Sequence, residues 1–131
     1  MPRGTYRTAD DKWVAVSTSS EPVARRVMEL VGLGHEVGLQ TSEGRIERRE
    51  EVDHAVAAWI GARPAAAVLE AFVAADAAIA PVMTMADIVA DPHIVARQAI
   101  TEVDGVPMQN VVARLSATPG SIRWLGPPPA Q

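Results

Sequence analysis

The chain has 131 residues and a net charge of −4, with sixteen Asp and Glu against twelve Lys and Arg. Its length fits a single domain of roughly 100–200 residues, and its acidic balance excludes a non-specific nucleic-acid binder, which needs a basic surplus. It has no cysteine, which excludes disulfides, thiolate metal sites and thiol nucleophiles together. The first dozen residues are polar and unlike a signal peptide. The Ala/Val-rich stretches are broken by Glu70, Asp76 and Pro81, well short of the about 20 apolar residues of a membrane span. A cytoplasmic protein with no membrane or nucleic-acid partner is expected.

In chain order, residues 5–12 are polar and carry the turn pair Asp10-Asp11, and Trp13-Val14-Ala15-Val16 follows as a short, mostly buried strand. Residues 17–20 form a hydroxyl-rich loop in which Ser19 or Ser20 caps a helix that has Pro22 in its first turn. Val23, Val27, Leu30 and Val31 make one face of that helix, and Gly32 ends it in the left-handed conformation. Residues 35–44 are expected to be a loop. From Arg45 a charged run accompanies the stripe Val52, Val56, Trp59 and Ile60, the pattern of a helix with a solvated charged face. Pro64 opens a third helix with an inner stripe of Ala65, Val68, Leu69 and Phe72.

A short crossing over 76–80 ends in Pro81-Val82. Thr84 and Asp87 then have the capping-box spacing, and Asp91-Pro92 starts another short helix. Asp104-Gly105 between residues 99–103 and 106–108 signals a two-residue hairpin, with Pro107 at a sheet edge. Aromatics are few, so Trp13, Trp59, Phe72 and Trp124 are the candidates to organise packing. The fold class is α+β, a small, mostly antiparallel sheet with helices packed on one face. Residues 1–116 form the small domain, and 117–131 an extended Pro/Gly-rich tail.

Local motifs carry little chemistry. The glycines at 32, 34 and 38 follow a helix and miss the dinucleotide-binding spacing. Ser17–Ser20 has none of the flanking glycines of a nucleophile elbow, and His35, His54 and His93 are too dispersed for a local metal motif. Neither a catalytic residue nor a metal site is assigned from motifs alone.

Three segments in order carry a resemblance: residues 6–16, opening Tyr6-Arg7-Thr8; residues 79–87, with Pro81-Val82 leading into a capped helix; and Asp91-Pro92-His93 running to Arg97. A weaker fourth covers Ser116–Gly120 and Gly126-Pro127. Together they resemble the small domain of family III CoA-transferases. The resemblance implies an enzyme that moves CoA between carboxylic acids through an aspartyl intermediate, whose nucleophile lies in a large CoA-binding domain outside this stretch. It implies acyl-CoA as substrate, no tightly bound cofactor, a large-domain partner in the same or another chain, and a homodimer of interlocked subunits. The isolated chain is then expected to be inactive. Substrate-binding candidates are Ser17, Thr18, Ser19 and Glu21, with His93 and Arg97; Glu21 lies near the place of an acyl-site glutamate in the α-methylacyl-CoA racemase branch. That branch and a non-catalytic binding or scaffold domain are the alternatives. Two departures are the missing glycine-rich loop before the first strand and the ending at 126–131, which replaces the family's glycine-glutamate-histidine-threonine.

Overall fold

The computed structural model describes residues 2–126. By contacts the chain divides into two compact units, one reaching to Val82 and one starting at Met83. Residues 117–126 fall in the second unit; 127–131, the end of the tail set apart in the sequence, lie outside the described residues.

The first unit is built on an antiparallel sheet of order β1-β2-β3, formed by Arg3–Arg7, Trp13–Ser17 and Ile79–Pro81. Strand β1 corrects the sequence reading. Its residues are mostly polar because a single position, Tyr6, is buried, directly opposite Val14 of β2. Val14 and Val16 point to the same side and are buried, as the two-residue period of a strand requires. Pro81, which has no N–H to donate, sits opposite Val14 on the outer strand, where a missing donor costs least.

Four helices supply the rest of the core: α1 (Glu21–Leu30), α2 (Ser42–Glu47), α3 (Arg49–Gly61) and α4 (Ala65–Ala74). The stripes of α3 and α4 are as expected, with Val52, Val56, Ile60, Val68 and Phe72 buried. Helix α1 is rotated from its predicted face. Ala24, Val27 and Met28 are buried, while Val23, Leu30 and Val31 flank the core. Ser20 occupies the N-cap position of α1, yet neither it nor Ser19 makes the expected capping bond. Gly32 does act as predicted: at φ 86° its N–H donates to Glu29 and that of Leu33 to Met28, closing the helix end.

The expected loop at 35–44 is more ordered than its composition suggests. Val37–Leu39 is a 3-10 turn that buries Leu39, and Thr41 caps α2 by accepting from the Gly44 N–H. Gly44 is demanded by close approach, since an added Cβ would meet the Gly38 carbonyl oxygen. The helix expected from Arg45 is therefore two helices that break at Arg48. Of the four aromatic anchors, Phe72 is buried and meets Trp59 edge-on at 6.0 Å. Trp13 and Trp124 are 47% and 66% exposed, so they organise no core.

The second unit contains α5 (Met85–Ala90), α6 (Pro92–Ala96) and a hairpin of β4 (Ile100–Val103) with β5 (Val106–Gln109). The capping box of Thr84 with Asp87 and the cap of Asp91 on α6 are both formed. Asp104 and Gly105 take positive φ at the hairpin turn, the conformation that a tight two-residue connection needs. The hairpin forms its own two-stranded sheet, where the sequence reading has a single small one. The strand at 13–16 pairs with β3 on its second side, because the chain returns to the sheet at once after α4.

Candidate functional site

The residues singled out from the sequence fall into two groups, one in each unit. Ser17, Thr18, Ser19 and Glu21 share the corner where β2 turns into α1. The Ser17 N–H donates to Ala78, and the buried Thr18 donates its hydroxyl to the Pro2 carbonyl at 2.7 Å. Both therefore tie the corner to neighbouring strands, whereas Ser19 is exposed.

Glu21 has the most developed environment of this group. Its Oε2 accepts from Arg45 Nη2 at 2.7 Å, and Arg45 Nη1 donates to the Leu39 carbonyl, also at 2.7 Å. The Arg45 side chain is 1% exposed and that of Glu21 38%. A buried guanidinium with no counter-charge would be prohibitive, so Glu21 is what makes Arg45 tolerable. Arg45 in turn holds the Glu21 carboxyl below its ordinary value, chiefly by the hydrogen bond and secondarily by its charge. Glu21 is thus held in its charged form. Among the described residues, Glu21 Oε1 and Arg45 Nε are buried without a hydrogen-bond partner.

Arg45 was placed on a solvated charged face in the sequence; burial corrects that. It sits in α2, across the break at Arg48 from the apolar stripe of α3, so no continuous helix face marks it as buried. The other conspicuous polar contacts of this unit are structural too. Tyr6 donates to Asp53 at 2.6 Å, and burial above all, then this bond, raises its phenol pKa. Asp10 accepts from the Thr8 hydroxyl at 2.7 Å and from the Ala65 N–H at 2.8 Å, which pins the β1–β2 turn to the start of α4. The Thr8 bond, then that of Ala65, lowers the Asp10 pKa. The Tyr6-Arg7-Thr8 stretch, which opens the first of the three resembling segments, is therefore framework.

His93 and Arg97 lie at the two ends of α6 and line one groove of about 180 Å³ together with Ile94, Val111, Val112 and Arg114. Asp91 accepts from the N–H groups of His93 and Ile94, both at 2.9 Å, so its carboxylate is engaged by the helix end. Arg114 was not singled out in the sequence, because the groove exists only once the segment after β5 has come back beside α6. Among the described residues no helix is long and apolar enough to cross a membrane, and no cluster of His, Cys, Asp and Glu could hold a metal ion.

The family model for CoA-transferase family III matches residues 1–131. The chain belongs to that family. Succinyl-CoA–D-citramalate CoA-transferase of Chloroflexus aurantiacus is 31% identical over 96% of this chain, and the beta subunit of succinyl-CoA–L-malate CoA-transferase from the same organism 33% over 96%. The chain covers 33% of either relative, one third of its length. Among solved structures, a CaiB/BaiF family protein from Brucella suis matches with a TM-score of 0.74 and 19% identity, over 94% of this chain and 34% of that one. Rv3272 from Mycobacterium tuberculosis matches with a TM-score of 0.75 and 15% identity, over 93% and 34%. At such identities the likeness establishes the fold, the α+β architecture that this family III chain shares with both.

Proposed function

We propose that this chain is the small, substrate-covering domain of an enzyme that moves CoA between carboxylic acids. A large CoA-binding domain, in the same or a partner chain, supplies the aspartate nucleophile. That carboxylate takes the acyl group as a mixed anhydride and releases CoA thiolate; the thiolate then attacks the aspartyl carbonyl to give an aspartyl-CoA thioester and frees the donor acid. The same steps in reverse load the acceptor. The observation that carries this reading is the match of nearly the whole chain to one third of CoA-transferases at 31–33% identity. The names of those relatives make succinyl-CoA the first donor to test.

The test is acyl exchange with succinyl-CoA and L-malate or D-citramalate, first with the purified chain and then with the large domain encoded in the same or a neighbouring reading frame. The chain alone is expected to be inactive, and the complemented protein to exchange CoA and form an aspartyl thioester that hydroxylamine traps. Turnover by the chain alone would misplace the nucleophile; a complemented protein inert with every thioester offered would sink the transferase reading. A homodimer and a cytoplasmic setting belong to the same proposal, and sedimentation of the complemented protein checks the first.

A further inference from the structure

Four arginines of the first unit are paired with carboxylates, whereas two of the second share a groove that holds none. In the first, Arg7, Arg26, Arg45 and Arg48 each meet a carboxylate within 3.3 Å. In the second, Arg97 and Arg114 line one groove, and neither side chain has an ion-pair or hydrogen-bond partner among the described residues. His93 lines it as well, and no Asp or Glu does. The nearest carboxylate in sequence, Asp91, is engaged by the N-terminus of α6.

Arg97 and Arg114 are exposed and bring positive charge to one concavity that holds no carboxylate. Ile94, Val111 and Val112 give the groove an apolar wall, which lowers the local dielectric and strengthens the attraction for an entering anion. Arg114 also lines an adjoining cleft of about 350 Å³ that extends to Pro119 and Gly120, leaving room for the body of a larger ligand.

We propose that the groove between α6 and residues 110–114 binds a compact oxyanion, a carboxylate or a phosphate, clamped by Arg97 and Arg114 together with His93. Planar guanidinium groups suit both anions, because two parallel N–H donors match two oxygens. The site itself does not depend on the transferase reading, but identifying its natural ligand as a part of a CoA thioester rests on that reading. The anion is then either a phosphate of CoA or the free carboxylate of a dicarboxylic acyl group.

The experiment is an NMR titration of the chain with inorganic phosphate and with succinate at constant ionic strength, following the His93 ring and the backbone of 93–97 and 110–114. Saturable shifts confined to these residues are expected for at least one anion. The double variant Arg97→Gln/Arg114→Gln should weaken binding by roughly tenfold or more, and Arg123→Gln, outside the groove, should leave it unchanged. All three side chains are exposed, and thermal melts confirm that each variant is folded. Adenosine 3′,5′-bisphosphate, with phosphates alone, and S-succinyl-N-acetylcysteamine, with a carboxylate alone, then separate the two sources by which binds more tightly. Absence of saturable shifts, or equal weakening by Arg123→Gln, overturns the proposal. Failure of the transferase reading would look different: anion binding would persist in a complemented protein that exchanges no CoA.

Discussion

The two units solve the problem of stability differently. The first closes on a continuous core in which Val14, Val27, Leu39, Val56, Ile60, Val68 and Phe72 are wholly buried, with an arginine and its carboxylate set into the edge of that core. The second has sound local chemistry, with a capping box, a capped helix and an Asp-Gly turn, but none of its described residues is buried. Caps and turns contribute about 1 kcal/mol each, and burial of large side chains about 2–3 each. Hence the first unit holds the stability of the chain, while the second keeps apolar and cationic groups available. That division suits a piece whose first part is framework and whose second part meets a ligand or a partner.

Substitutions can break this comparison, and the largest effect belongs to the core. Phe72→Ala should destabilise by about 4 kcal/mol in urea unfolding, and Ile94→Ala, the half-buried counterpart on α6, by less than about 1 kcal/mol. Equal losses would show that the second unit has a core of its own. Next is Arg45→Ala, which removes the buried cation and its contacts and should cost about 3 kcal/mol. If it is neutral, the ion pair with Glu21 is not what holds α1, α2 and the Leu39 turn together.

Acid sharpens the same contrast. The carboxyls of Glu21 and Asp10 are held below their ordinary values by Arg45 and by Thr8, respectively. A depressed native pKa stabilises the fold above the unfolded value, 4.5 for Glu21, and that contribution is lost as the pH falls through the native value. Urea midpoints should therefore fall as the pH drops below about 4.5, and Glu21→Gln should flatten the drop while lowering the plateau. A profile identical to that of the parent would remove Glu21 from the account.

The smallest expected change is a gain. Gln98 closes α6 at φ 48°, with its N–H donating to Val95 and that of Ala99 to Ile94, the geometry that Gly32 supplies for α1. Gln98→Gly relieves the left-handed strain and should slow amide exchange in α6 by up to about 1 kcal/mol of opening free energy. Faster exchange would mean that the backbone freedom added by glycine outweighs the relief.

The sequence by itself determined the local grammar. The stripes of α3 and α4, the end of α1 at Gly32, the caps at Thr84 and Asp91 and the Asp104-Gly105 turn all rest on interactions within a few residues, where residue type is nearly sufficient. It also carried the family, through segments that the structure reveals to be mainly framework: Tyr6 on Asp53 and Asp10 on the start of α4. Only the tertiary structure decided the rest. Strand β1 has Tyr6 as its one large core-facing side chain, with Gly4 before it on the same side, so its alternation is too sparse to recognise. Arg45 looks like any surface charge until Glu21 and the Leu39 carbonyl, far from each other in sequence, close around it. Partners distant along the chain decide both burial and charge, and the same holds for the groove in which Arg114 joins His93 and Arg97.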